Sequence, residues 1–174
     1  MGEITLILGG AKSGKTSLAL SHCQQYSPPR LYLATAEAGD EEMLQRIARH
    51  QAERGPDWRT AEEPLNPAAF LRGLKTGAAF VVLLDCLTLW LSNLLSGQGL
   101  DVDEAVLRTK DLAEASSGAP CPVVIVSNEV GRGIVPENRL ARDFRDASGL
   151  AHQVLAQAAG EVLLVTAGLV QRLK

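Results

Sequence analysis

Five short apolar runs divide the chain, and each run is continuous instead of alternating with polar residues. Continuous apolar runs are typical of strands that are buried on both faces of a sheet. We therefore predict strands at residues 4–8, 31–34, 80–84, 123–126 and 162–165.

Helical patterns lie between these runs, with apolar residues recurring every three or four positions. They predict helices at residues 16–25, 41–54, 86–95, 102–115 and 138–159. Strands that alternate with helices indicate an α/β fold, with a mostly parallel sheet and helices on both faces. Gly55-Pro56 and the stretch 64–67 predict loops inside a single domain that spans residues 1–174.

Composition narrows the class of protein. The chain has 174 residues, 46% of them hydrophobic, and a net charge of −3. A mildly acidic chain has no general attraction to nucleic acid, so we expect no nucleic-acid partner. The most apolar stretch, 80–95, is interrupted by polar residues and is shorter than a membrane span of about 20 residues. Three scattered cysteines and the lack of a targeting segment predict a reduced, cytoplasmic protein.

The strongest motif follows the first predicted strand. Residues 9–16, Gly-Gly-Ala-Lys-Ser-Gly-Lys-Thr, match the phosphate-binding loop G-x-x-x-x-G-K-[ST] and open the first predicted helix. Such a loop turns its backbone N–H groups toward an anion at a helix N-terminus. We expect Lys15 to reach the β- and γ-phosphates of a nucleoside triphosphate, and the Thr16 hydroxyl to bind Mg²⁺.

Asp85 supplies a second metal-side carboxylate, since it follows the apolar run 80–84. An acid at that place also suits the N-cap of the next helix, and one residue could do both.

His50 lies on the apolar side of the predicted helix 41–54. Its position fits a partly buried, hydrogen-bonded histidine. It equally fits a neutral imidazole that attacks phosphorus. The spacing of the residues does not decide between the two.

A long polar loop, 127–138, follows the fourth predicted strand, where ligands bind in open parallel sheets. Arg139, Arg142 and Arg145 come next at intervals of three. Arginines at this spacing either bind phosphate or form a solvated face paired with neighbouring acids. Those acids are Glu137, Asp143 and Asp146.

Several segments together carry a resemblance to a known family. They are GGAKSGKT, LYLATAE, EEMLQRIARHQ, DWRTAEEP and NEVGRGIVPENRLARDFRDASGLAHQVLA. The chain resembles, over essentially its whole length, the bifunctional adenosylcobinamide kinase / adenosylcobinamide-phosphate guanylyltransferases of cobalamin biosynthesis.

The resemblance implies two reactions. ATP or GTP phosphorylates adenosylcobinamide, and GMP then passes from GTP to adenosylcobinamide phosphate. The family's guanylylated histidine falls on His50, and Lys15 is the second catalytic residue. The resemblance also implies a fold similar to RecA-type proteins, and a homo-oligomer, expected to be a trimer. The implied nucleotide contacts are Gly9, Gly10, Ala11, Lys12, Ser13, Gly14, Lys15, Thr16, Ala34, Thr35, Ala36, Gln51, Ala52, Glu53, Arg54, Glu62 and Asp85.

The chain departs from the family pattern at two places. His152-Gln153 stands where an Asn-Gln pair is usual, and Asp85 stands where Glu is common. Two other functions compete with the implied one. One is a small-molecule kinase without a covalent nucleotide intermediate. The other is a nucleotide-dependent switch, which the sequence 127–130 disfavours because it lacks the N-K-x-D element.

Overall fold

The computed structural model describes residues 2–36 and 55–174. Its strands are β1 (Ile4–Gly9), β2 (Arg30–Ala34), β3 (Trp58–Glu62), β4 (Val81–Asp85), β5 (Val123–Asn128), β6 (Glu161–Thr166) and β7 (Leu169–Arg172). Its helices are α1 (Lys15–Cys23), α2 (Pro67–Gly73), α3 (Leu87–Ser92), α4 (Val102–Ser117) and α5 (Arg139–Ala158). A π-helical turn, Asn93–Gly97, extends α3.

The seven strands form a sheet in the order β3-β2-β4-β5-β1-β6-β7. Strands β1 to β6 run parallel, and β7 pairs antiparallel with β6 at the edge. Strand β5 lies between β1 and β4. The carboxyl ends of the parallel strands therefore meet at one edge, where ligands bind in such sheets.

Helices cover both faces of the sheet, as the alternating pattern predicts. On one face, Ala19 and Cys23 of α1 pack with Ile7 and other residues of the central strands. On the opposite face, residues of α2, α3, α4 and α5 form the larger cluster. Trp90 is almost fully buried there, and its indole N–H donates to the carbonyl of Leu65 at 3.0 Å. The predicted α/β class and layer arrangement are confirmed.

Three of the described elements were not predicted. Strand β3 is a half-exposed edge strand, and β7 is exposed throughout, so neither produces a continuous apolar run. Helix α2 begins at Pro67, inside the stretch predicted to be a loop. Asn66 caps it by accepting from the Ala69 N–H at 3.4 Å.

The boundaries of the predicted elements move by one to three residues. Phe80 is 48% exposed and precedes β4, while Asp85 is the last residue of that strand. The predicted helix 86–95 ends at Ser92 and continues as the π-helical turn. The predicted helix 41–54 lies outside the described residues. Within the part of the chain that the structure describes, no helix is long and apolar enough to cross a membrane.

Candidate nucleotide site

The loop between β1 and α1 leaves a helix N-terminus open. Gly14 occupies the N-cap with φ +96°, and no side chain caps the helix. The first backbone N–H groups of α1 are therefore available to an anion. Gly9 is required for close packing, because a Cβ there would lie 2.5 Å from Ser13 Oγ and 2.8 Å from the Val165 carbonyl oxygen.

Two neighbouring segments hold this loop in place. The Glu129 N–H, just after β5, donates to the Gly9 carbonyl at 3.0 Å. The Gly168 N–H, in the turn between β6 and β7, donates to the Ser13 carbonyl at 2.9 Å. The loop is thus fixed from the strands on both sides of β1, which prepares its shape before a ligand binds.

Lys15 is 8% exposed, and its ammonium donates to the Gly10 carbonyl at 3.0 Å. This bond folds the lysine back over the loop that a phosphate would occupy. Ser13 is buried as well, and its hydroxyl has no hydrogen-bond partner.

Asp85 ends β4 on the other side of β5. Two strand spacings separate it from the strand of the loop, about 10 Å. Its Oδ2 accepts from the Tyr32 hydroxyl at 2.9 Å. The expectation that Asp85 could also cap the following helix is wrong. Cys86 occupies that N-cap, and no side chain caps the helix there.

The pKa of the buried Cys86 thiol depends on the charges around it. Burial raises its pKa, the Asp85 carboxylate raises it further, and the Lys15 ammonium opposes both. The charges of Asp85 and Lys15 therefore both affect this thiol.

The side-chain oxygen atoms at this edge suit Mg²⁺. This ion prefers oxygen ligands and is commonly held by one or two carboxylates plus phosphates. Thr16 lies half-buried in the first turn of α1, a helix that packs against β4 and β5. Asp85 Oδ1 has no hydrogen bond to the described residues. Across residues 2–36 and 55–174, no group of three or more His, Cys, Asp or Glu side chains could hold a metal.

The predicted contacts at and just after the ends of β2 and β3 lie at the same edge of the sheet. The Thr35 hydroxyl is fully buried, donates to the Cys86 carbonyl at 2.8 Å and accepts from the Cys86 N–H at 2.8 Å. These two hydrogen bonds of its side chain hold the start of α3 in place. Ala34 pairs in register with Glu62 on one side and with Asp85 on the other.

His50 and the predicted contacts Gln51, Ala52, Glu53 and Arg54 lie outside the described residues. Their roles stay predictions.

A buried polar pair among the described residues was not predicted from the sequence. Ser127 Oγ and His152 Nε2 lie 2.7 Å apart, joining the end of β5 to α5. Burial lowers the pKa of His152, while the nearby Glu129 carboxylate raises it. In the sequence, His152 stood out only as a departure from the family pattern. The pair could not be predicted, because its two residues lie 25 positions apart.

Two of the three arginines of α5 pair with acids, as the solvated-face interpretation expects. Arg139 pairs with Asp143 at 3.5 Å, and Arg145 with Asp146 at 3.1 Å. Arg142 instead donates to the Pro136 and Glu137 carbonyls, at 3.0 and 2.6 Å, and so holds the end of the preceding loop.

A parallel sheet whose first strand leads through a glycine-rich loop into an uncapped helix defines the class of P-loop nucleotide-binding proteins. Comparison with known proteins narrows this class. Residues 5–173 match the family model described as cobinamide kinase / cobinamide phosphate guanyltransferase. The chain belongs to this family, and the family predicted from the sequence is confirmed.

Curated relatives match over nearly their whole lengths. The bifunctional adenosylcobalamin biosynthesis protein CobP of Pseudomonas aeruginosa is 44% identical, over 97% of this chain and 96% of its own. The bifunctional adenosylcobalamin biosynthesis proteins CobU of Escherichia coli and Salmonella typhimurium are 39% and 40% identical. Both alignments cover 97% of this chain and 98% of the relative.

Proposed function

We propose that this enzyme phosphorylates adenosylcobinamide with ATP or GTP, and then transfers GMP from GTP to adenosylcobinamide phosphate through a guanylylated His50. The product is adenosyl-GDP-cobinamide, a step in cobalamin biosynthesis. The observation that carries the proposal is the open N-terminus of α1 beside a buried Lys15, in a chain that matches the family from residue 5 to residue 173.

The first reaction uses the loop to hold a triphosphate. Backbone N–H groups of residues 9–16 and the Lys15 ammonium spread the charge that develops on the phosphoryl oxygens. The acceptor hydroxyl oxygen bonds to the γ-phosphorus, the bond to the β–γ bridging oxygen breaks, and the nucleoside diphosphate leaves. Thr16 and Asp85 are the residues that would hold Mg²⁺, which supplies further charge neutralisation when bound.

The second reaction proceeds by two displacements. A neutral His50 nitrogen bonds to the α-phosphorus of GTP, and pyrophosphate leaves. An oxygen of the acceptor phosphate then bonds to the same phosphorus, and the N–P bond breaks to return His50. Two displacements predict retention of configuration at phosphorus.

The environments of the other two histidines support the choice of His50. The chain has three histidines. His152 is buried and bonded to Ser127. His22 lies in the last turn of α1, about 10 Å along the helix from Lys15. Neither is placed to attack a nucleotide held at the N-terminus of α1.

We therefore expect GTP and Mg²⁺, without acceptor, to add the mass of one GMP to the protein. The intact mass must be recorded at neutral to alkaline pH, because a phosphoramidate is acid-labile. His50→Ala should form no adduct and should lose guanylyl transfer while keeping kinase activity, because His50 is a nucleophile in the second reaction alone.

His22→Ala is the matched control and should form the adduct normally. A wild-type protein that binds GTP but forms no adduct would favour the kinase without a covalent intermediate. Equal loss of both activities in folded His50→Ala would contradict separate roles.

We further infer that the 174 residues form one domain, that the enzyme acts in the cytoplasm, and that it assembles as a homo-oligomer, expected to be a trimer. Exposed apolar side chains near the C-terminus support assembly. Leu169 is 76% exposed, Val170 49% and Leu173 52%.

A further inference from the structure

A cleft of about 450 Å³ lies beside the phosphate loop, over the ends of β1, β5 and β6. Its volume falls in the range typical of small-molecule sites. Its lining comprises residues 10–13 of the loop, Glu129, Arg132 and residues 164–167. Among the described residues, the nucleotide contacts predicted outside the loop lie at or just after the ends of β2, β3 and β4 instead. Strand β5, which leads into Glu129, lies between β4 and the loop strand β1, so the cleft adjoins the phosphate loop.

Glu129 is the carboxylate of this cleft, and its position is fixed. Its backbone N–H donates to Gly9, the first residue of the loop, at 3.0 Å. Its side-chain Oε1 accepts from the Gly131 N–H at 2.9 Å. Arg132 and Lys12 line the same cleft, but among the described residues no cation forms an ion pair with Glu129. Within residues 2–36 and 55–174, the carboxylate is therefore not held in an ion pair.

The two reactions differ in what their acceptors must lose. The acceptor of the first reaction is an alcohol, whose proton must leave as its oxygen bonds to phosphorus. The acceptor of the second reaction is a phosphate monoester, which is mostly a dianion at neutral pH, so the oxygen that bonds to phosphorus has no proton to lose. Only the first reaction therefore needs a base that takes a proton from its acceptor.

We propose that the cleft is the acceptor site and that Glu129 is the base of the kinase reaction. This inference rests on the proposed function. The acceptor hydroxyl oxygen bonds to the γ-phosphorus, its proton passes to the Glu129 carboxylate, and the nucleoside diphosphate leaves with the electron pair of the broken P–O bond. Glu129 then releases the proton to water.

Two other carboxylates that the structure describes at this edge are less suited to the role. Asp85 accepts a hydrogen bond from Tyr32 and lies two strands from the loop strand. Glu62 ends β3, at the far edge of the sheet. Glu129 directly follows β5, which pairs with β1, and Asn128 is in register with Gly9.

The test compares both reactions in Glu129→Gln, which keeps an oxygen for the Gly131 N–H but cannot take up a proton. We expect kcat of the kinase reaction, with adenosylcobinamide and ATP, to fall about 10²- to 10⁴-fold. Guanylyl transfer from GTP to adenosylcobinamide phosphate, and the GMP adduct itself, should stay within a few-fold of wild type.

Glu114→Gln is the matched control and should change neither rate. Glu114 is exposed near the end of α4, and that end accepts a bond from Gly2 at the opposite edge of the sheet. Because both rates come from one preparation, partial unfolding of Glu129→Gln would lower both and leave their ratio unchanged.

An unchanged ratio of the two rates, or an unchanged kinase rate, would overturn the role of Glu129. Failure of the His50 pathway is a separate result, since it shows as a missing GMP adduct in the wild type. The kinase rate of Glu129→Gln relative to Glu114→Gln would still test Glu129.

Discussion

The hydrogen bond between Ser127 and His152 lies next to the candidate site, because Ser127 precedes Asn128 and Glu129 at the end of β5. Both side chains are buried. A hydrogen bond inside a protein costs more to leave unmade than it contributes when formed, so either partner alone would be destabilising. This pair joins the strand that carries Glu129 to α5.

His152 gives the protein an expected dependence of stability on pH. Burial lowers its pKa below the ordinary value of 6.5, so the folded state holds this proton less tightly than the unfolded state. The stabilisation is complete above pH 6.5 and is lost as the pH falls from 6.5 through the folded-state pKa. His152→Asn, which does not titrate, should lose less free energy of unfolding between pH 7.5 and 5.5 than the wild type. Urea denaturation at the two pH values measures this difference.

Ser127→Ala separates burial from hydrogen bonding at this place. It should lower the free energy of unfolding at pH 7.5 by about 1–3 kcal/mol, because it leaves a buried histidine nitrogen unsatisfied. The acid sensitivity should remain, since burial is its largest cause. Parallel losses in the wild type and His152→Asn would contradict the role given to His152.

At the scale of elements, α4 has the most complete N-terminal cap among the described helices. Asp101 Oδ1 accepts from the Glu104 N–H at 2.9 Å, and Glu104 Oε2 accepts from the Asp101 N–H at 3.0 Å. This reciprocal arrangement satisfies two backbone donors at once.

Asp101→Ala should therefore lower the free energy of unfolding by about 0.5–2 kcal/mol. Asp103→Ala is the matched control, since it removes the same charge from the first turn without removing a capping bond. The control should cost less, and the difference between the two variants in urea denaturation isolates the bond. Equal costs would mean that the charge, and not the cap, stabilises α4.

Strand β7 and helix α2, which were not predicted, differ in the local sequence signals that they carry. Strand β7 follows β6 through a two-residue turn, Ala167-Gly168, with φ values of +52° and +79°. Asn-Gly is the usual signal for such a turn, so Ala-Gly is weak evidence for a hairpin. Helix α2 did have a signal, because Asn66-Pro67 supplies an N-cap followed by proline at the first helical position.

For the whole molecule, nucleotide binding should appear as added stability. A ligand that binds only the folded state stabilises it by about 2.7 kcal/mol at one hundred times its Kd. We expect Mg²⁺-GTP to raise the Tm of the wild type, and Lys15→Ala to lose most of that increase because the ammonium that balances the phosphate charge is gone.

Lys110→Ala removes an exposed lysine of α4 and should keep the full increase in Tm. A thermal denaturation series with increasing nucleotide measures all three proteins. An equal increase in Lys15→Ala would show that the nucleotide binds elsewhere.

The amino-acid sequence by itself determined the α/β class, the phosphate loop and the family, because continuous apolar runs and an eight-residue glycine-rich motif are local signals. It also singled out the loop 127–138, although it gave Glu129 no role. Only the tertiary structure placed β5 between the loop strand and Asp85, paired Tyr32 with Asp85 and Ser127 with His152, and put Glu129 on the cleft beside the loop. These facts depend on the order of strands in the sheet, which brings together residues far apart in the chain and leaves no periodic trace in it.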